Sequence, residues 1–120
     1  MGTVDTLNKG ISAHGLWKRR LAQAIKTATS DFTPDVVKQD NQCEFGKWLY
    51  SCPAAEQANV YYATIKQVHA EFHQCAGRIL EKALAGNIAD AEKEIGMGSK
   101  YQEISARLTT EMMKWKNEVS

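Results

Sequence analysis

Apolar residues recur every three or four positions along most of the chain, which is the repeat of an amphipathic α-helix. The first apolar stripe predicts a helix from about Asp5 to residues 27–30. The stretch from Thr29 to Asp40 contains Ser, Asp, Thr and Pro34, and is interpreted as a connection. The stripe consists of Leu7, Ile11, His14, Trp17, Leu21, Ile25 and Ala28.

A short second helix is predicted after this connection. Asn41, followed by Glu44 three residues later, fits a capping box, in which both side chains accept hydrogen bonds from backbone N–H groups at a helix start. Cys52 and Pro53 are expected to end the helix, because a residue that precedes proline disfavours the helical conformation. The resulting helix is short and contains Cys43.

The third predicted helix has the clearest pattern in the sequence. It begins near Ala54 and carries one apolar face centred on His69. Gly86 and Asn87 supply a helix stop and the N-cap of a further helix. The apolar face contains Ala58, Tyr62, Ile65, His69, Phe72, His73, Ala76, Leu80 and Ala83.

The fourth predicted helix, which starts at Ile88, has one weak point. Gly96 and Gly98 flank Met97 in its interior, and each glycine costs about 1 kcal/mol relative to alanine in a helix. A kink, a break or a close helix contact are all possible there. Three long helices and one short helix predict an all-α fold, an up-and-down four-helix bundle that forms a single domain over residues 1–120.

The composition agrees with one globular domain, since 43% of the 120 residues are hydrophobic and 24% are charged. Fifteen basic and 14 acidic residues give a formal net charge of +1, so we expect no nucleic-acid partner. The apolar runs are too short for a membrane span, and no secretory signal is visible. Three cysteines, an odd number, disfavour a disulfide scaffold and favour the cytoplasm.

All three histidines lie on predicted apolar helix faces. His69 and His73 are one helical turn apart, a spacing that gives two nitrogen ligands to one metal ion, and His14 lies in the first helix. A single buried histidine is more often satisfied by backbone or water, but three such residues favour a metal site. Glu71 lies about 200° around the helix from His69 and does not fit the zinc-protease motif, so catalytic zinc is disfavoured.

Cys43 is the candidate for a fourth ligand. It lies in the first turn of the short helix, where free N–H groups stabilise a thiolate, and Gly46 would allow partner helices to come close to the sulfur. Three imidazoles and one thiolate suit tetrahedral zinc. Cys75 lies on the wrong face of the third helix. Cys52 is harder to exclude because it lies in a bend, although a loop residue before proline explains it more simply.

The same residues resemble a known family. His14-Gly15-Leu16-Trp17, Cys43-Glu44-Phe45-Gly46-Lys47-Trp48 and His69-x-x-Phe72-His73 are similar in order and spacing to the motifs of the chemoreceptor zinc-binding domain. The resemblance implies a helical bundle that forms a homodimer and binds one zinc ion per chain. The implied ligands are His14, Cys43, His69 and His73. The residues expected to surround them are Trp17, Phe45, Gly46, Trp48 and Phe72.

Members of that family are cytoplasmic sensory modules attached to methyl-accepting chemoreceptors or diguanylate cyclases. This chain contains neither signalling domain, so we expect either an excised domain or a stand-alone member. The leading hypothesis is a regulatory domain without enzymatic activity, which senses zinc itself or an oxidant through redox-sensitive Cys43.

Three other functions are possible. A di-iron enzyme needs Glu-x-x-His pairs, and no glutamate precedes a histidine by three positions in this chain. A haem-binding bundle would use His14 or His73 as axial ligand. A helical interaction domain without metal would contain core histidines that ordinary hydrogen bonds satisfy.

Overall fold

The structure, a computed structural model, describes residues 3–52 and 54–119. Within these ranges every regular element is an α-helix, so the predicted all-α class is confirmed. None of the described helices is long and apolar enough to cross a membrane. The helices are α1 (Thr3–Thr27), α2 (Pro34–Val37), α3 (Glu44–Ser51), α4 (Ala54–Gln57), α5 (Val60–Leu84), α6 (Ile88–Ile95) and α7 (Lys100–Val119).

The legs of the bundle, which are α1, the segment α2–α4, α5, and α6 with α7, alternate in direction along the chain. The middle of α1 contacts α5 through the rings of His14 and His73, and residues at the end of both helices, Ala28 and Gly86, line one surface cavity. Helices α1 and α5 are therefore parallel. The short helices α2, α3 and α4 form the descending connection between them, and α6 with α7 descends after α5. The helical bundle is thus confirmed, with short helices in place of its second long leg.

The apolar core lies between α1, α5 and α7, and it follows the predicted stripes. Trp17 of α1 is 7% exposed, and Phe72 of α5 and Trp115 of α7 are completely buried. Burial of an apolar side chain of this size contributes about 1.5–3 kcal/mol to folding. Other fully buried core residues are Leu7, Leu21, Leu49, Ile65, Ile79, Leu80, Tyr101, Leu108 and Met112.

The start of α3 differs from the prediction. Cys43, with an extended backbone conformation, is the N-cap of this helix. The capping box of Asn41 and Glu44 is therefore wrong, because the helix begins two residues later than that motif requires. At the other end Cys52 is the C-cap, and Pro53 lies outside the described residues.

Both of the later predicted helices are interrupted. The third splits after α4, and the Asn59 side chain then accepts a hydrogen bond from the Tyr61 N–H at 2.8 Å to cap α5. The fourth breaks between α6 and α7, where Gly98 has a φ of +79°, a left-handed conformation that favours glycine. Of the three possibilities at this point, the structure shows the break.

The predicted connection after α1 contains one helical turn, α2. Thr33 caps it by accepting a hydrogen bond from the Val36 N–H at 3.4 Å, and Pro34 occupies the first helical position, where its missing N–H is not needed. Four residues are too few to show helical periodicity. The turn places the backbone of Val37 against α5.

Candidate metal centre

Three helices bring four potential metal ligands together. They are His14 from α1, His69 and His73 from α5, and Cys43 at the N-cap of α3. One ligand atom from each residue lies within 4.8 Å of all the others. The histidines are at most 3% exposed, and Cys43 is half-buried. The structure therefore groups the four residues that the sequence predicted as ligands.

The distances in this group suit one small ion. The Nε2 atom of His69 lies 3.0 Å from Nε2 of His14 and 3.1 Å from Nε2 of His73. The Cys43 sulfur lies 3.4 Å from Nε2 of His69 and 3.6 Å from Nε2 of His73. Tetrahedral zinc with ordinary bond lengths separates its nitrogen and sulfur donors by about 3.3–3.6 Å. The two sulfur–nitrogen distances fall in this range, the two nitrogen–nitrogen distances are slightly shorter, and the group as a whole, within 4.8 Å, has the size of a site for one ion.

Backbone carbonyl groups fix the position of the proton on two of the imidazoles. Nδ1 of His14 lies 2.7 Å from the Gly10 carbonyl oxygen, and Nδ1 of His73 lies 2.9 Å from that of Val37. A carbonyl oxygen only accepts, so each Nδ1 carries the proton and donates it. Each Nε2 consequently presents its lone pair to the centre, which is the arrangement of a metal-binding histidine.

Without a cation, the Nε2 lone pairs of His14 and His73 would face too few hydrogen-bond donors. His69 can donate its Nε2 proton to only one of the two facing imidazoles. The weak S–H donor of Cys43 reaches His73 and His69, and it makes no recorded hydrogen bond to His14. A buried acceptor without a good partner costs about 1–3 kcal/mol. A bound Zn²⁺ would accept all of these lone pairs. The residues present therefore fit zinc.

Burial keeps the imidazoles neutral, the form that binds a metal. It lowers the pKa of His14 to about 4, although the hydrogen bond to the Gly10 carbonyl opposes the shift. It also lowers the pKa of His69 to about 2, with a smaller contribution from the other two histidines. The pKa of His73 is lowered by burial as well, although the Val37 carbonyl opposes the shift.

Two opposing effects act on the pKa of the Cys43 thiol. Burial raises its pKa, and hydrogen bonds from backbone N–H groups, that of Gly46 first, only partly oppose the shift. The Gly46 N–H donates to the sulfur at 3.3 Å. The N–H groups of the helix start therefore act on the sulfur as expected, but burial outweighs them among the protein groups by themselves. Coordination by a cation would stabilise the thiolate directly.

Two phenylalanines enclose the imidazoles. The Phe45 ring meets His14 and His69 edge-on, with centroid distances of 5.7 and 5.2 Å. The Phe72 ring meets His14 at 5.2 Å and His73 at 5.6 Å in the same way. His69 has no hydrogen bond to its buried Nδ1 among the described residues, so the Phe45 ring and the contacts of Nε2 orient its ring.

The two tryptophans of the predicted site lie further from the donors. Trp17 approaches His73, with a centroid distance of 6.3 Å, rather than His14, which lies one turn before it in the sequence. Trp48 contacts Phe45 at 5.7 Å and Trp115 at 5.5 Å. Trp48 therefore supports the site through Phe45 and belongs to an outer layer of packing.

Gly46 allows a close approach of the backbone, but not the one predicted from the sequence. A Cβ atom at this position would lie 1.7 Å from the carbonyl oxygen of Asp40. The segment before α3, and not a partner helix, occupies the space beside Gly46. This contact folds the chain back over the first turn of α3 and so positions Cys43.

Gly77 is a functional position that the sequence analysis missed. A Cβ atom here would lie 3.1 Å from the Pro34 carbonyl oxygen and 2.3 Å from Cγ of Lys38. The glycine therefore lets α2 approach α5 and bring the Val37 carbonyl group to His73. A glycine in the interior of a long apolar helix, where it is unfavourable, was the available signal.

Neither of the other cysteines joins the group of ligands. Cys52 is 5% exposed at the end of α3, and burial raises its pKa to about 11. Cys75 is 3% exposed on α5, and burial raises its pKa as well. Among the described residues, Cys43 is the cysteine that the structure places beside the histidines.

A helical bundle with three buried imidazoles and one cysteine at their centre defines a class of protein, the helical metal-binding modules. The family model of the chemoreceptor zinc-binding domain (CZB) matches residues 14–80, more than half of the chain, and this range includes all four grouped residues. The chain therefore belongs to the chemoreceptor zinc-binding domain family. Comparisons with curated proteins and with solved structures found no match. Zinc is thus the metal that both the family and the donor set indicate.

Proposed function

We propose that the chain is a zinc-dependent regulatory domain of bacterial signal transduction, which binds one Zn²⁺ ion. The ligands in this proposal are His14, Cys43, His69 and His73. The observation that carries it is the convergence of three imidazole Nε2 atoms and one sulfur within 4.8 Å. Four protein ligands complete a tetrahedral zinc site and leave no position for a reacting water, which supports a role without catalysis.

Zinc at this centre would link α1, α3 and α5. The carbonyl groups of Gly10 and Val37 hold two imidazoles in the binding tautomer, and the Gly46 N–H holds the sulfur. Loss of the ion would release the N-terminus of α3 from the two long helices. In a cytoplasmic homodimer attached to a chemoreceptor or a diguanylate cyclase, this rearrangement would be the signal.

Metal content tests this proposal. Protein without a polyhistidine tag, expressed without added metal, is expected to contain close to one zinc ion per chain by plasma mass spectrometry. Cys43→Ala, His69→Ala or His73→Ala should weaken binding by more than the roughly 10–100-fold typical of residues that only support a ligand. Cys52→Ala and Cys75→Ala are the matched controls. Zinc loss from Cys52→Ala but not from Cys43→Ala would contradict the ligand assignment.

The same preparation separates the alternatives. A haem-binding bundle would show a visible absorption band, whereas a zinc protein has none. The geometry does not favour haem, because Nε2 of His14 and Nε2 of His73 both lie within 3.1 Å of His69. An interaction domain without metal would contain no stoichiometric metal of any kind.

Oxidation of Cys43 is a second candidate signal. Cys43 is the most exposed of the four residues, and sulfur is the most readily oxidised of the donors. Hypochlorous acid would transfer chlorine to the sulfur in a two-electron oxidation. Hydrolysis of the sulfur–chlorine bond then gives a sulfenic acid and chloride. The modified sulfur is a weaker ligand, so the zinc site would open.

A brief, stoichiometric pulse of hypochlorous acid followed by mass spectrometry tests this route. We expect modification to appear first at Cys43, together with loss of zinc. Modification that appears first at Cys52 or Cys75, with zinc retained, would eliminate oxidant sensing and leave zinc itself as the signal.

A further inference from the structure

A cavity of about 540 Å³ opens beside the metal centre, between α1 and the chain segment that contains α2 and α3. His14, Cys43 and His73 form part of its lining, so the cavity borders the metal centre. Pockets of about 300–1,000 Å³ hold small molecules in other proteins. The proposed function uses the four ligands but gives this space no role.

The walls of the cavity are unusually aromatic. Trp17, Phe32, Phe45 and Trp48 line it, which are four of the six tryptophan and phenylalanine residues in the chain. They form two contacting pairs, with centroid distances of 5.1 Å for Trp17 with Phe32 and 5.7 Å for Phe45 with Trp48. Such surfaces favour a flat, apolar ligand, because aromatic rings gain both burial and stacking.

One charged group is held in place at this cavity. The Arg20 guanidinium lies 5.0 Å from the centroid of Trp17 and 5.1 Å from that of Phe32. Stacking on rings restricts the guanidinium, and its N–H edge can still form a paired hydrogen bond with a carboxylate. The charged residues of the lining are Lys9, Arg20 and Glu44, so cations outnumber anions.

We propose that this cavity binds a small aromatic carboxylate, whose ring lies between the aromatic walls and whose carboxylate pairs with Arg20. The inference rests on the proposed function in one respect, namely that zinc occupies the adjoining centre. A bound molecule would then cover the approach to Cys43 and slow the loss of zinc. The ligand would regulate the metal site without coordinating the metal.

Calorimetric titration of the zinc-loaded chain with 2-naphthoate tests the binding. We expect saturable binding of one molecule per chain, and we expect Arg20→Gln to weaken it about tenfold or more, because a charge-assisted pair is lost. Arg19→Gln is the matched control, since Arg19 is also exposed and does not line this cavity. Phe32→Ala should also weaken binding, and Phe32 is 37% exposed, so its removal spares the core.

The neutral analogue 2-naphthamide tests the charge. Its affinity should be lower than that of 2-naphthoate by about tenfold or more. Equal binding of the two compounds would show a site for neutral aromatic molecules and would overturn the proposal. Absence of saturable naphthoate binding, or equal weakening by Arg19→Gln and Arg20→Gln, would overturn it as well.

The rate of zinc loss to EDTA tests the location. At ten times its dissociation constant, 2-naphthoate should slow this loss about tenfold in the wild-type chain, since release then proceeds through the unoccupied fraction. An unchanged rate would contradict a site beside Cys43. Metal content is measured first. A chain without zinc would refute the proposed function. Titration of that chain with naphthoate would still decide whether the cavity is a ligand site.

Discussion

Two interfaces of the bundle are held together in different ways. Between α5 and α7 aromatic rings pack together, Tyr62 on Trp115 and Phe72 on Tyr101, and all four side chains are buried. Between α1, α3 and α5 the contacts include three imidazoles and a thiol, and the chain before α3 touches the backbone of Gly46. Burial of apolar surface dominates the first interface. The second places polar atoms where a cation would satisfy them.

The difference indicates which part of the fold depends on the metal. Helix α3 has only eight residues, and an isolated helix of that length is not stable in water. Its position relies on the burial of Phe45 and Leu49 and on the contacts of Cys43 with α5. We therefore expect zinc to control α3, while α5 and α7 stay packed with or without the ion.

Removal of zinc should have the largest effect. If free zinc is about ten thousand times its dissociation constant, chelation should lower the free energy of unfolding by about 5.5 kcal/mol. Hydrogen exchange measured with and without EDTA should show amide protection lost in α2 and α3. Amides of α5 and α7 that face each other should keep most of their protection.

Uniform loss of amide protection over the whole bundle would contradict the prediction that zinc controls α2 and α3 but not the contact between α5 and α7. The Cys43→Ala variant provides the control, because EDTA should change its exchange pattern little if the variant already lacks the ion.

Replacement of Trp17 should have the next largest effect. The side chain is 7% exposed and contacts Phe32 and His73, so Trp17→Ala creates a cavity that costs about 3–5 kcal/mol. We expect zinc binding to persist at temperatures at which the variant is folded, since Trp17 is not one of the four grouped residues. Urea unfolding and zinc content measure the two effects separately. Unchanged stability would remove Trp17 from the core.

Gly46→Ala should have a smaller effect on stability but a direct one on the metal. The new Cβ atom would meet the Asp40 carbonyl oxygen at 1.7 Å, so the start of α3 must shift. We expect a loss of about 1–3 kcal/mol, typical of overpacking, and zinc affinity lowered about 10–100-fold through the displaced sulfur of Cys43. Competition with a zinc indicator measures the affinity.

Gly15→Ala is the control for that substitution. A Cβ atom at Gly15 meets nothing within 4 Å, so alanine should raise helix stability by up to about 1 kcal/mol and leave the zinc affinity unchanged. Equal effects of the two substitutions on the affinity would contradict the role assigned to Gly46.

The grouped histidines could be predicted because their positions follow from local periodicity. His69 and His73 share a face of any α-helix that contains them, and His14 lies on the apolar stripe of its own helix. Helical periodicity was not sufficient to choose Cys43 over Cys52 as the fourth ligand, because it does not exclude a cysteine that lies in a bend. The resemblance to the zinc-binding domain family supplied that choice.

The contacts that orient the ligands could not be predicted in this way. The carbonyl group that holds His73 belongs to Val37, 36 positions earlier, and it arrives on a helical turn too short to show periodicity. The start of α3 was misplaced for a related reason. Asn41 and Glu44 satisfy a local capping pattern, but contacts of the Cys43 sulfur with α5 accompany the cap that the structure uses.

X-ray absorption at the zinc K edge of the zinc-loaded chain tests the central claim most directly. The proposed centre predicts three nitrogen neighbours at about 2.0–2.1 Å and one sulfur at about 2.3 Å. The sulfur contribution should be retained in Cys52→Ala and in Cys75→Ala. A first shell of nitrogen and oxygen only, or one with two sulfur neighbours, would contradict the assignment of His14, Cys43, His69 and His73 as the four ligands.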